Sequence, residues 1–416
     1  MRILLVSDEP RDPGMGGPKV ALQLQAALQD QGHLCDVLFR PDLGRWPRAP
    51  RLRLACAPAL AWRAAARAPR RSGVSHYDII DAASAEGWML ATRWGRRAAR
   101  GAAVVVRSHG LEHRFYQELL TDARAGRLRK PWSRRLWYPA VRLPQVAAAL
   151  RRAHHVIVPN PADRDFITAR GWQPSARIAV IPHGIDAQRW AQAPPSDAAA
   201  RGAGLLFCGW WTSSKGVADL ARAHELLLND GLALPLTLFG VGEAAPSDPS
   251  RLSAVEEARI RAAFAPGSQP WLTLTPRTRD EDAVFAAYRR HDIMVCPSTS
   301  EGFGMVIMEA LSQRLPVVCS ATAGAAALLH QGREALLTPP RDPEALAAAL
   351  ARLWRSPGLR QALAEAGHQC TQALTWQQVG RKTIDVYQDA WQEAWQDAWR
   401  HHHPAATPNS RAGAAC

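Results

Sequence analysis

Glu301 and Glu309 stand eight positions apart in Glu301-Gly302-Phe303-Gly304-Met305-Val306-Ile307-Met308-Glu309. A carboxylate only accepts hydrogen bonds and can take two hydroxyls at once, which is the arrangement a diol offers. Upstream, Asp292-Ile293-Met294-Val295-Cys296-Pro297-Ser298 reads as a short buried strand closed by proline and serine. Downstream, Met305 to Gln313 carries apolar residues at helical spacing. Strand, glycine turn and helix N-terminus are therefore predicted in that order. Such a turn aims backbone N–H groups and the positive end of a helix dipole at one spot. Gly302 and Gly304 let the backbone approach a bound group closely, with Phe303 and Met305 beside them. Eight residues span about two helical turns, which puts Glu301 at the mouth of the site and Glu309 deeper on the same face. An anion flanked by hydroxyls, such as a sugar nucleotide, fits this chemistry.

The elements that must hold these groups follow from short Val/Ile/Leu runs. Strands are predicted at 2–7, 34–39, 78–83, 102–108, 154–158 and 177–182, then at 204–209, 235–240, 271–275, 292–297, 316–320 and 335–338. Runs buried on both faces and separated by Ala- and Leu-rich helices predict parallel sheets with helical crossovers. The fold class is α/β, with two doubly wound Rossmann-like domains facing across a cleft. The expected organisation is an N-terminal domain over 1–185, a linker over 186–203 and a second domain over 204–375. A helix over 376–400 and a disordered tail over 401–416 follow. In that helix Tyr387, Trp391, Trp395 and Trp399 recur every four residues, which makes one aromatic ridge.

Residues 1–200 hold 31 Lys and Arg against 16 Asp and Glu, whereas residues 201–416 hold 20 against 21. The whole excess of +14 thus belongs to the first half. Eight arginines lie between Asp42 and Asp78 with Trp46 and Trp62, and nine basic residues lie between Asp122 and Asp163 with Trp132 and Trp137. Arginine interleaved with tryptophan suits an anionic membrane surface, with the tryptophans as interfacial anchors. No nucleic-acid motif accompanies the charge, and no nucleic-acid partner is expected. The seven cysteines contain no CxxC pair, and Cys208, Cys296 and Cys319 fall in predicted buried strands, which points to a reducing compartment. No apolar run reaches the length of a membrane span, and because the sequence opens directly on a strand no cleavable leader is expected. A cytoplasmic protein, peripheral on the inner face of the membrane, is expected.

The Glu301-Gly-Phe-Gly…Glu309 signature resembles that of the retaining glycosyltransferases of family 4, which have the GT-B fold. Further segments fall in the family's order: Gly14-Met15-Gly16-Gly17-Pro18, Ser108-His109-Gly110, Ile181-Pro182-His183-Gly184-Ile185-Asp186, Phe207-Cys208-Gly209…Lys215-Gly216 and Leu238-Phe239-Gly240-Val241-Gly242. The resemblance implies a donor site on Gly16, Gly17, Gly209, Lys215, Glu301, Gly302, Phe303, Gly304, Met305 and Glu309. His109 and Glu301 would act at the sugar, Glu309 on the ribose diol and Lys215 on the diphosphate. It implies that the last helix crosses back to the N-terminal domain, that no cofactor is needed and that no metal is used. The acceptor would be a saccharide or a lipid-linked saccharide of envelope polysaccharide or glycolipid synthesis. An epimerase or phosphorylase on the same fold, or a catalytically silent binding protein, are the alternatives. Three positions depart from the pattern. Trp210 replaces an arginine that would be the second phosphate cation, for which Arg277 or Arg279 could substitute. His183 replaces an asparagine, and the turn at Ala323-Gly324-Ala325-Ala326-Ala327 lacks an acid.

Overall fold

Among the described residues the chain forms two sheets of six strands, each of them wholly parallel. The computed structural model describes residues 1–127, 132–195, 201–246 and 248–402. In the N-terminal half β1 (Arg2–Val6), β2 (Leu34–Leu38), β3 (Ile79–Ala83), β4 (Ala103–Arg107), β5 (His155–Val158) and β6 (Ile178–Val180) lie in the order β2-β1-β3-β4-β5-β6. In the C-terminal half β7 (Leu205–Cys208), β8 (Leu236–Phe239), β11 (Leu272–Thr275), β12 (Ile293–Cys296), β13 (Val317–Ser320) and β14 (Leu336–Thr338) lie in the order β11-β8-β7-β12-β13-β14. A short antiparallel pair, β9 (Ala244–Ala245) and β10 (Asp248–Leu252), is hydrogen-bonded into neither sheet.

Each strand sits within a residue or two of its predicted run, because β-branched and leucine side chains buried on both faces leave no other element to form. β4 and β12, for instance, are buried at every position. Strand order reverses direction between β1 and β3 in one sheet and between β7 and β12 in the other. Ligands of open α/β sheets bind at such switch points, beyond the strand C-termini. The loops after β1, β4, β7 and β12 carry the residues singled out above, so the topology gathers them at one place.

The helix Trp376–His402 crosses back to the N-terminal half. It is anchored where Ile185 N donates to Leu374 O at 2.6 Å and where Trp376 packs on Gly184. Further along, the fully buried Tyr387 donates its hydroxyl to Asp81 Oδ2 at 2.6 Å. The aromatic ridge divides there. Tyr387 is in the core, while Trp391, Trp395 and Trp399 are exposed.

The expected membrane anchors are not all at the surface. Trp46 and Trp62 are half-buried and pack against the apolar cluster that contains Leu4, Val6 and Leu43, and Trp46 Nε1 donates to Arg40 O at 2.7 Å. Trp62 lies on the apolar face that the helix Pro50–Ser72 gives to the sheet, and Trp46 lies in the loop just ahead of that helix. Arg142, counted in the second basic stretch, is also internal and bonds Glu86 and Glu112. The arginines at 45, 48, 51, 63, 67, 70 and 71 remain exposed. Arg129, Lys130 and the tail from 403 onward lie outside the described residues. No described helix is long and apolar enough to cross a membrane.

Candidate active site

A cavity of about 380 Å³ lies between the two halves. Its N-terminal wall is the loop Pro13 to Gly17, the first turn of the helix Gly16–Asp30, and the pair His109 and His183. Its C-terminal wall is the loop after β7, the segment Arg277 to Glu281 after β11, and the turn Glu301 to Met305 after β12. Gly16, Gly17, His109, Gly209, Lys215, Glu301, Phe303, Gly304, Met305 and Glu309 all line it.

Gly302 does not line the cavity and sits behind it. A Cβ there would lie 2.1 Å from His109 O, and Asn160 Nδ2 donates to Gly302 O at 2.7 Å. Only glycine allows the two halves to meet so closely, so this position fixes one half against the other. Gly304, at φ +94°, is the N-cap of the helix Met305–Ser312, a left-handed conformation that a side chain would strain. The helix then presents its first-turn amides toward the cavity.

Lys215 ends a short 3-10 turn ahead of the helix Val217–Asn229, and its Nζ lies 2.5 Å from Glu301 Oε2. Ser298 Oγ donates to the same carboxylate oxygen at 3.3 Å. Burial works against the lysine's charge, yet Glu301 holds its pKa above the usual lysine range. Glu309 is held differently. Its Oε1 lies 2.8 Å from Lys19 Nζ, which comes from the N-terminal half, and its Oε2 accepts from Tyr288 OH at 3.0 Å. Lys19 also lies 3.0 Å from Glu281 Oε1. Burial again opposes the charge, and the two glutamates together raise the lysine's pKa above its ordinary value.

His109 is half-buried in the cavity wall, its ring centroid 5.6 Å from that of His183, whose own ring meets Phe303 edge-on. Burial, helped by Arg107 below it, pushes the His109 pKa down to about 4. It is therefore neutral near pH 7 and serves as a hydrogen-bonding group rather than a cation. His183 is held well below the usual histidine range by burial and by His109. Among the described residues no group of three His, Cys, Asp or Glu is arranged to hold a metal ion.

Residues 202–356 match the family described as glycosyl transferases group 1, and residues 15–189 match glycosyltransferase family 4. The chain belongs to the group 1 glycosyltransferases, with a family 4 N-terminal domain. The chain is 27% identical to a D-inositol 3-phosphate glycosyltransferase of Corynebacterium urealyticum over 222 residues, 51% of each chain. It spans about half the length of the curated relatives it matches. It is similar in fold to a sucrose-phosphate synthase from Thermosynechococcus elongatus, with a TM-score of 0.70, 22% identity, and 94% of this chain and 100% of the other covered. A second similar structure is that of Anabaena Alr3699/HepE in complex with UDP-glucose, with a TM-score of 0.61 at 18% identity, covering 95% and 100% of the two chains. These likenesses establish the two-domain GT-B fold.

Lys19, Tyr288, Asp12 and Glu281 also stand at or beside the cavity without being singled out by any motif in the sequence. Lys19 carried a usable signal, because it follows Gly-Gly-Pro directly and is one of four lysines in the chain. Tyr288 lies on an ordinary amphipathic helix, Glu281–Arg290, and nothing in its spacing distinguishes it from core.

Proposed function

We propose that this glycosyltransferase moves a sugar from a nucleotide-diphosphate donor to a saccharide or lipid-linked acceptor with retention at the sugar carbon, and without a metal ion. The observation that carries the reading is the Lys215–Glu301 pair at the N-terminus of the helix Met305–Ser312, facing the Gly16-Gly17 loop and His109 across one cavity. The acceptor hydroxyl attacks the anomeric carbon on the face from which the diphosphate leaves. The bond from that carbon to the phosphate oxygen breaks as the bond to the acceptor oxygen forms, and the departing phosphate oxygen takes the hydroxyl proton. The protein then has to position the reactants and stabilise charge on the leaving group.

Lys215 and the first-turn amides of the helix supply positive potential for the diphosphate. Glu301 takes sugar hydroxyls. Glu309 has spare lone pairs beside Lys19 and Tyr288 for the ribose diol. His109, held neutral, accepts from or donates to a sugar hydroxyl. The similar Anabaena structure was determined with UDP-glucose, which supports a uridine nucleotide as the first donor to try. The exposed arginines of residues 45–71 support an envelope acceptor reached at an anionic membrane surface, with the protein peripheral on its cytoplasmic face.

Thermal-shift measurements against UDP-, GDP- and ADP-sugars test the reading, because a ligand that binds the native state raises its melting temperature. Stabilisation by one family of nucleotide sugars, followed by turnover that persists in excess EDTA, is expected. No stabilisation by any of them would overturn the donor assignment, and strict dependence on added manganese or magnesium would overturn metal independence.

A further inference from the structure

Every cation that lines the cavity, among the described residues, is matched to a carboxylate. Lys215 has Glu301, Lys19 has Glu309 and Glu281, and Arg277 and Arg279 share Asp12. The last pairing differs from the others. Arg277 NH2 lies 2.5 Å from Asp12 Oδ2, its side chain is only 15% exposed, and it joins the segment after β11 to the loop after β1. Arg279 lies 3.3 Å from Asp12 Oδ1 and is 74% exposed, so it contributes little.

Arg277 also stands next to the position where the family pattern is broken. Its guanidinium carbon is 5.9 Å from the Trp210 ring centroid, and its backbone N–H donates to Gly242 O at 2.8 Å. The indole thus provides a face for a cation at the place where a cation is missing from the chain. Arg277 lines the cavity and meets Asp12 through Nη2, while its buried Nε has no hydrogen-bond partner, so Asp12 does not use all of the guanidinium's donors. A planar fork with an unused donor suits a diphosphate, which offers more acceptor oxygens than a carboxylate. The Asp12 carboxylate is itself kept in place by Gly14 N, which donates to Oδ1 at 3.1 Å.

Resting on the nucleotide-diphosphate reading above, we propose that Arg277 is the second cation of the diphosphate site, replacing the arginine that Trp210 displaces, and that Asp12 is its built-in competitor. Diphosphate and Asp12 exchange on one guanidinium. The charge on Arg277 is compensated in either state, so the buried cation is never left alone. Donor entry also releases a contact between the two halves, which ties nucleotide binding to their relative position.

The signs of two substitutions distinguish this arrangement from a merely structural ion pair. Asp12→Asn preserves the Oδ1 acceptor for Gly14 and removes the competing charge, so it should tighten binding of UDP and of inorganic pyrophosphate by about tenfold. Arg277→Met should weaken both by about tenfold, and Asp12→Asn should no longer tighten binding in that background. Isothermal titration of the full chain and its three variants with UDP, GDP, ADP and pyrophosphate reads all of these effects. A damaged protein does not gain affinity, so the Asp12→Asn result stands even if Arg277→Met folds poorly. Binding by the wild type with no gain in Asp12→Asn would overturn the exchange and leave the donor reading intact. Absence of binding to every probe by both wild type and Asp12→Asn would overturn the donor reading and this proposal with it.

Discussion

The six strands of the C-terminal sheet contain no Asp, Glu, Lys or Arg, whereas those of the N-terminal sheet hold Arg2, Asp36, Asp81 and Arg107. In the C-terminal half the charges that matter stand at the cavity, on loops and helix ends, above an apolar core. In the N-terminal half charge runs into the interior. Arg107 pairs with Asp81 at 2.8 Å, and Arg142 bridges Glu86 at 2.9 Å and Glu112 at 3.0 Å. Burial pushes Glu86 up to about 8 and, with Asp8 beside it, Glu9 up to about 7. One architecture therefore supports two strategies. An apolar sheet leaves its charged loops free to serve a ligand, while a sheet threaded by ion pairs depends on those pairs for its own integrity. Buried pairs are poor sources of net stability, but breaking one strands its partner.

Removing one member of the internal network should produce the largest effect. Arg142→Met leaves the Glu112 carboxylate without its cation and Glu86 without its hydrogen-bond donor, and a loss of about 3–5 kcal/mol is expected in urea unfolding. A loss below about 1 kcal/mol would mean that the N-terminal network is not structural. The opposite result is expected at the cavity. Glu301→Ala should reduce turnover by roughly a hundredfold, because a group holding the reacting sugar is gone. Its melting temperature should move less than that of Arg142→Met. Turnover equal to wild type with the true donor would show that Glu301 does not touch the sugar.

His109 belongs to both strategies, and pH separates its two roles. The native state refuses a proton down to about pH 4, whereas the unfolded chain takes it up near the ordinary value of 6.5. Its contribution to stability is therefore complete above pH 6.5 and declines as pH falls toward 4. Glu9 and Glu86 act in the opposite sense, since the native state keeps protons there that the unfolded chain releases above its ordinary glutamate pKa. Subtracting the pH–stability curve of His109→Gln from that of wild type removes those terms. The difference, wild type minus variant, should fall by about 1 kcal/mol as pH drops from 6.5 to 5.5. A flat difference would mean that His109 is not held neutral by burial.

The smallest effect is expected at the surface. Replacing Arg63, Arg67, Arg70 and Arg71 with glutamine should weaken salt-sensitive co-sedimentation with phosphatidylglycerol vesicles, at about 1 kcal/mol per residue that meets the lipid surface. Nucleotide binding should be unaffected. Equal binding to neutral and anionic vesicles would remove the electrostatic account of the N-terminal charge.

The strands and the paired glutamates were legible because both are local signals. A run such as Val104-Val105-Val106 has one comfortable environment, and a glycine turn between a strand and a helix has few geometries. Lys19 was not legible as the partner of Glu309, because the two lie 290 positions apart and only the packing of the halves brings them together. The tryptophan stripe shows the same limit in reverse. Its period shows that Tyr387, Trp391, Trp395 and Trp399 share a face of a helix, but not that the face leaves the core after the first ring.

The order of elements, the parallel class of both sheets, and the residue types gathered after β1, β4, β7 and β12 are properties of the sequence by itself. They follow from side-chain shape and from hydrogen bonding between near neighbours. Which charge faces which was decided only in the tertiary structure. An ion pair depends on distances of a few ångströms between groups far apart along the chain, and those distances exist only once two separately legible halves have met.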